Sequence, residues 1–310
     1  MNSFKKHIIN MLITVSSIVL IVSAFNYTLD FYGVFSVRKV FKDFTPNEHS
    51  LKLNFILSEE NRSNLIFGNS RSGVVNSLDK YKSWYNMSYS MGVPEEFLMD
   101  LKKIFNERSD INEVLIFLDE VSLFEIYKNH KNQVLRKVID LNSVERFQYL
   151  FILPTIDVLR FMISSLIKNP QLDKTIVYDI YESGATVEKN FDYDNSELIC
   201  AENILVKNIN SYPLIELFKE KLAVLKEIKS LAEKNNVKIK FVSQPFSSRY
   251  FLDGFRVSTY FKFLEFLEEQ GFKVNKPTNC LVVKHIDGQW RDLHHYNKVI
   301  GEQIENKFLY

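Results

Sequence analysis

Cysteine is nearly absent: Cys200 and Cys280 are the only two in 310 residues. Two residues make neither a disulfide framework nor a paired-cysteine metal motif. They leave one pairing in an oxidising compartment, or two unpaired core thiols. Surplus charge of one sign is lacking as well. Lys and Arg number 39 against 38 Asp and Glu, a net charge of +1, so there is no electrostatic case for binding nucleic acid. Several signature motifs are missing too: no Gly-x-x-x-x-Gly-Lys phosphate loop, no His-Glu-x-x-His and no Cys-x-x-Cys. The Gly-x-Ser-x-Gly elbow of α/β-hydrolases fails because Ser72 stands where the second glycine belongs. The chain calls for no cofactor and no metal.

What is present describes an ordinary globular protein, 46% apolar and 25% charged. Its 26 Phe and 15 Tyr argue against disorder. The length suits one large domain or two small ones.

The N-terminus departs from this average. Lys5, Lys6 and His7 precede an uncharged run of about 18 residues, Ile8 to Phe25, just long enough to cross a bilayer as a helix. A signal peptide has a shorter apolar region, roughly 7–15 residues, although Val22-Ser23-Ala24 is an acceptable cleavage site. The length favours an uncleaved single-pass membrane anchor over residues 1–25. Lys5 and Lys6 put its N-terminus in the cytoplasm, a bias diluted by Arg38, Lys39 and Lys42. A buried core helix is disfavoured by the terminal position and the lack of a polar face.

Residues 26–64 show no sustained period and read as an extended connector. From residue 65 the pattern changes to short apolar runs ended by glycine or a polar residue, separated by helical stretches. Strands are expected at 65–67, before Gly92, at 112–119 and at 237–245. Pro94 opens a helix, and Glu95 and Glu96 sit in its first turn where the macrodipole favours them. Residues 214–236 are an amphipathic helix, 258–271 a helix ended by Gly271, and 296–308 a final helix. Strands alternating with helices of this length predict α/β architecture, a parallel sheet with helices on both faces. The stretch from about 120 to 211 breaks that rhythm and reads as a mostly helical insertion into a domain spanning 65–310. Within it, residues 149–167 are nearly as apolar as the anchor. Asp157 and Arg160 speak against a span, which leaves a core helix or a helix facing the bilayer or a membrane partner.

Two short stretches carry chemistry. In "NLIFGNSRSGVV", residues 64–75, a buried strand runs into Gly68-Asn69-Ser70. A turn needs only the glycine, whereas a serine there suits a nucleophile in search of a base. Of the six histidines, only His294 and His295, in "GQWRDLHHYNKVIG", sit in a setting that suits one. Asp292 and His295 are three apart, so the carboxylate can hold one imidazole nitrogen while the other faces the serine. His294, two from Asp292, makes that pairing harder. A hydrogen-bonded surface pair is the commoner use of Asp-x-x-His.

Gly68-Asn69-Ser70 at a strand end, with Asp292-x-x-His295 before a C-terminal helix, resembles the SGNH (GDSL-type) hydrolase superfamily. "YNMSYSMG" resembles the second block of that family, whose glycine, here Gly92, lends its N–H to the oxyanion hole. "HHYNKVIG" resembles the ending of the membrane-anchored members, and "FNYTLDFYGVF" their Asp-Pro-Tyr-Gly-like segment, with Phe31 in place of the proline. Those members include proteins of alginate acetylation and teichoic-acid D-alanylation. The resemblance implies a three-layer α/β/α fold, a catalytic triad of Ser70, Asp292 and His295, and oxyanion or substrate contacts from Gly92 and Asn69. It implies a serine esterase or O-acyltransferase acting on cell-surface polysaccharide outside the membrane, with an integral-membrane acyltransferase as partner. The alternative is a non-catalytic relative that binds glycan or serves assembly. The chain departs from the family at the third block, where "FLDE" puts Asp119 and Glu120 in place of Gly-x-Asn. An ionised carboxylate cannot donate to an oxyanion. Asp119 is therefore expected to point away, pair with a cation such as Arg71, or carry a proton.

Overall fold

The computed structural model describes residues 3–29, 34–35, 48–76, 79–125, 143–151, 176–178, 183–188, 198–201, 214–250, 255–277, 280–292 and 295–309. In chain order these form α1 (Ser3–Leu29), α2 (Glu48–Ser58), β1 (Asn64–Phe67), β2 (Trp84–Asn86), α3 (Pro94–Glu107), β3 (Glu113–Leu118) and α4 (Glu120–Phe124). Next come α5 (Ser143–Tyr149), β4 (Ile176–Tyr178), β5 (Thr186–Glu188), α6 (Leu214–Lys234), β6 (Lys238–Ser243) and β7 (Phe246–Ser247). Finally there are α7 (Phe255–Glu269), β8 (Val282–Val283) and α8 (Lys298–Phe308).

The core is a four-stranded parallel sheet in the order β2-β1-β3-β6. Alternate strand residues face opposite layers, as the period of two requires. Leu65, Phe67, Val114 and Ile116 pack against Leu53 and Ile56 of α2, Phe97 and Leu101 of α3, and Leu225 and Ile228 of α6. Ile66, Leu115, Phe117 and Val242 pack on the other face against Ile300, Ile304 and Phe308 of α8. The chain passes from β1 to β2 on one side and then reverses to β3 on the other. Ligands of open parallel sheets sit at such a reversal, beyond the strands' carboxyl ends. The outer edge of β6 is covered by Asn275, whose N–H donates to Phe241 O (2.8 Å) and whose O accepts from Ser243 N (2.8 Å).

The expected strands and helices of the core form close to their expected limits. Pro94 is the first residue of α3, Gly271 follows α7 at φ +69°, and the Asn297 Oδ1 accepts from Val299 N (3.0 Å) to cap α8. The expected connector differs at residues 48–58, where the chain forms α2. Among its buried residues are the polar His49, Ser50 and Lys52, so no clean apolar stripe marks the helix in the sequence. Tertiary partners supply the missing signal: His49 Nε2 meets Asp100 Oδ2 at 2.7 Å, and Lys52 Nζ donates to Ser88 O. In the expected insertion the described residues include, besides α4 and α5, an antiparallel β4–β5 pair. Residues 152–167 of the apolar stretch lie outside the described residues.

Helix α1 is long and apolar enough over Phe4–Thr28 to cross a membrane, and of that stretch only Asn26, near its end, is buried. It is therefore not a core helix. Cys200 and Cys280 form a disulfide with Cα atoms 5.8 Å apart across 80 residues. Beside it Ala201 N donates to Val282 O (3.0 Å) and Lys284 N to Ile199 O (2.7 Å), which ties the segment before α6 to β8. An apolar N-terminal helix, as in a signal anchor or signal peptide, and a disulfide together point to an extracytoplasmic domain.

Candidate active site

Where β1 ends, the chain must turn sharply, and Gly68 permits it. A Cβ there would collide with Ser72 Oγ. Gly92 packs against the same turn: a Cβ on it would come within 2.5 Å of Gly68 O and 2.9 Å of the Phe97 ring. Gly92 excludes a side chain because two backbone segments approach closely there.

Asn69, buried, turns into the protein. Its Oδ1 accepts from Arg71 N (3.0 Å) and Gln244 Nε2 (3.1 Å), and its Nδ2 donates to Asp119 Oδ2 (2.5 Å). With Asn69 pinned inward, Ser70 is the next residue and stands partly exposed at the sheet's carboxyl edge. Its Oγ lies 2.9 Å from His295 Nε2. Asp292 accepts from His295 N through Oδ1 (2.8 Å), and its Oδ1 and Oδ2 lie 3.1 and 2.9 Å from His295 Nδ1. A carboxylate against Nδ1 fixes the proton on that nitrogen and leaves Nε2 as the acceptor facing Ser70. That arrangement is competent to take the hydroxyl proton as Oγ attacks an electrophile. His294, the other candidate base, lies outside the described residues.

The loop bearing the base is held from below. Tyr296 is fully buried and donates its hydroxyl to Gln244 Oε1 (3.1 Å), so Gln244 joins the serine turn, through Asn69, to the histidine loop. Gln244 was not singled out in the sequence. Its signal is the one that marks Ser70 and Asp119, a polar residue just beyond the carboxyl end of a buried parallel strand. A second serine–histidine contact, Ser247 Oγ to His285 Nδ1 (2.7 Å), anchors the same loop from β7. Ser247 is fully buried, so this contact fixes structure rather than presenting a nucleophile. Burial and the nearby Arg249 hold His285 below the usual histidine range, which keeps it neutral.

Two expected donors are placed differently from the expectation. The Gly92 N–H donates to Tyr89 O (3.2 Å), closing its own turn. The Asn69 carboxamide is engaged in the core on both its atoms. After Ser70 the chain forms a single 3₁₀ turn, Ser72–Val74, too short to supply much dipole. The Ser70 N–H makes no hydrogen bond among the described residues and is the nearest backbone donor to Oγ.

The third-block departure also has a structural account. Asp119 is fully buried and caps α4 by accepting from Ser122 N (3.1 Å). Arg71 does not reach solvent. Its Nη1 meets Glu120 Oε2 at 2.9 Å and Asp119 Oδ2 at 3.4 Å, its Nη2 donates to Pro245 O (2.5 Å), and its guanidinium lies 4.5 Å from the Phe246 ring centroid. Burial opposes the guanidinium's charge, but Glu120 and Asp119 outweigh it and raise its pKa. Asp119 thus pairs with Arg71 as expected. Burial, with Glu120 adding to it, pushes its pKa up to about 6 against Arg71 and Asn69 pulling it down.

This has a consequence for stability. Between the ordinary value of 3.8 and about 6, the folded protein holds a proton on Asp119 that the unfolded chain releases. Stability therefore falls as pH rises through that window. Asp119→Asn removes the titration, so subtracting its urea-unfolding free energies from those of the natural protein isolates the slope. The expected difference is on the order of 2–3 kcal/mol between pH 4 and pH 7, at 1.36 kcal/mol per pKa unit. Parallel pH profiles for the two proteins would contradict the assignment.

A cavity of about 730 Å³ lies apart from this site, between α7 and residues 271–281, and none of its lining residues belongs to the Ser70 cluster. Compared with known proteins, the chain matches no protein-family model, and no curated protein shows significant similarity to it.

Proposed function

We propose that the protein is a membrane-anchored, SGNH-like serine esterase or O-acyltransferase that moves an acyl group, best an acetyl, on cell-envelope polysaccharide. The observation that carries this reading is the alignment of Ser70 Oγ, His295 and Asp292 at the sheet's reversal point. Ser70 Oγ attacks the ester carbonyl carbon while His295 Nε2 takes its proton. The tetrahedral oxyanion collapses, the C–O bond to the donor alcohol breaks, and that alcohol leaves with the proton from His295. An acceptor hydroxyl, from a sugar or from water, then gives its proton to His295 and attacks the acyl-serine; as the Oγ–acyl bond breaks, His295 returns that proton to Ser70 Oγ. Asp292 keeps the Nδ1 proton in place and stabilises the imidazolium. A membrane-embedded acyltransferase that delivers the acyl group is the partner this reading implies.

A second reading is favoured by one observation. The Gly92 amide and the Asn69 carboxamide are both engaged elsewhere, and each oxyanion donor lost is worth about 2.7–4 kcal/mol of barrier. A protein that keeps the groove for glycan binding without turnover fits that arrangement. Hydrolysis of a chromogenic acetyl ester by the purified full chain separates the two. The enzyme reading expects turnover at least about 100-fold above that of Ser70→Ala, within the range of general-base catalysis. Equal rates in the two proteins would leave the binding reading.

A further inference from the structure

We propose that Phe147 and Phe151 form a second membrane contact, lying in the bilayer interface beside the point where α1 leaves it. The inference is independent of the chemistry at Ser70 and rests on α1 being membrane-embedded.

The uncharged stretch of α1 ends between Phe25 and Asp30, the first formal charge after Lys6. At 1.5 Å per residue, Ile8 to Phe25 covers about 27 Å, close to the hydrocarbon thickness of about 30 Å. Asn26 therefore sits at the outer boundary. Its Nδ2 donates to Tyr149 O (3.2 Å) and Leu150 O (2.9 Å), which brings the end of α5 to the same level. Tyr149 is buried there, whereas Phe147 is 59% and Phe151 42% exposed. The two rings meet edge to face with centroids 4.9 Å apart, one apolar surface rather than two scattered residues.

Val144, 68% exposed, lies one turn before Phe147 on α5, and Phe151 follows in the turn just after the helix. Arg146, exposed on the same helix, suits an anionic headgroup. Tyr27, half exposed at the end of α1, adds an aromatic ring at the same height. Paired apolar rings with one exposed arginine beside them are the chemistry of an interfacial contact. Asn26 ties the patch to the outer end of α1, so the occupant it fits is the lipid interface. A second contact off the axis of α1 fixes the tilt of the domain, and with it the height at which Ser70 faces the envelope.

Brominated lipids quench tryptophan only at contact range, which gives the test. The full chain is reconstituted in vesicles of phosphatidylcholine and phosphatidylglycerol, with and without brominated acyl chains. Phe147→Trp, Phe151→Trp, Leu12→Trp in α1 and Lys229→Trp on exposed α6 are compared through their emission in excess of the natural protein. The expected result is loss of at least about half the excess emission at positions 147, 151 and 12, and none at 229. Quenching at 12 with 147 and 151 behaving like 229 would overturn the proposal and make the patch a protein-docking face. No quenching at 12 would overturn it as well, by removing α1 from the bilayer.

Discussion

If the proposed acyl transfer holds, His295→Ala is expected to lower the turnover of an acetyl ester by about 10³–10⁴-fold, and Asp292→Asn by only about 10–100-fold. General acid–base catalysis by a positioned side chain is worth about 10²–10⁴, and in the proposed cycle His295 serves both halves, which sets the expected loss at the upper end. Loss of a buried triad carboxylate can approach 10⁴ by stabilising the wrong tautomer. Asp292, however, is 47% exposed, so water can take over part of its role and the orienting effect is diluted. Both variants are expected to leave KM within a factor of about three, since neither residue is asked to bind the ground state. Steady-state kinetics on folded protein, with folding checked by near-ultraviolet circular dichroism, reads the outcome. An Asp292→Asn defect as large as that of His295→Ala would mean that the carboxylate is shielded during turnover. An unaffected His295→Ala would remove the base.

Arg71→Met destabilises the domain by about 3–5 kcal/mol, the usual cost of removing one member of a buried ion pair. The reason is the geometry beneath Ser70. One guanidinium, buried, faces the Asp119 and Glu120 carboxylates at 3.4 and 2.9 Å, and methionine fills its volume without its charge. Tyr250, which donates to Glu120 Oε1 (3.0 Å), can compensate only part of this. At roughly 2–4 °C per kcal/mol for a domain of this size, Tm falls by about 6–20 °C. The defect shrinks toward pH 4, where Asp119, left without its cation, carries a proton. A Tm within about 2 °C of the natural protein at pH 7 would show that the network contributes specificity rather than stability.

The geometry explains which parts of the site were legible beforehand. Ser70 is announced locally: an apolar strand, a glycine and a short polar residue follow one another, and parallel sheets place such residues at a ligand crevice. Asp292 and His295 are legible because a spacing of three and a following helix are local facts too. The oxyanion donors are not local. Whether Asn69 faces a substrate or the core depends on Gln244 and Asp119, 175 and 50 residues away. Gly92 spends its N–H on Tyr89 O because of a turn that composition does not reveal. Arg71 is legible as a partner for Asp119, but its enclosure by Glu120, Pro245 and Phe246 depends on distant parts of the chain. The same limit hid α2, whose polar residues are buried only because Asp100 and Ser88 receive them. It also left the cysteines open, since a pairing across 80 residues leaves no periodicity to read.

The most direct measurement is intact-mass spectrometry of the full chain after exposure to a fluorophosphonate, which phosphonylates a serine only when a base has made it nucleophilic. The account predicts one adduct per chain, located by peptide mapping on the segment containing Ser70, absent in Ser70→Ala and strongly slowed in His295→Ala. A folded natural protein that takes up no adduct, or takes it up at another serine, would contradict it.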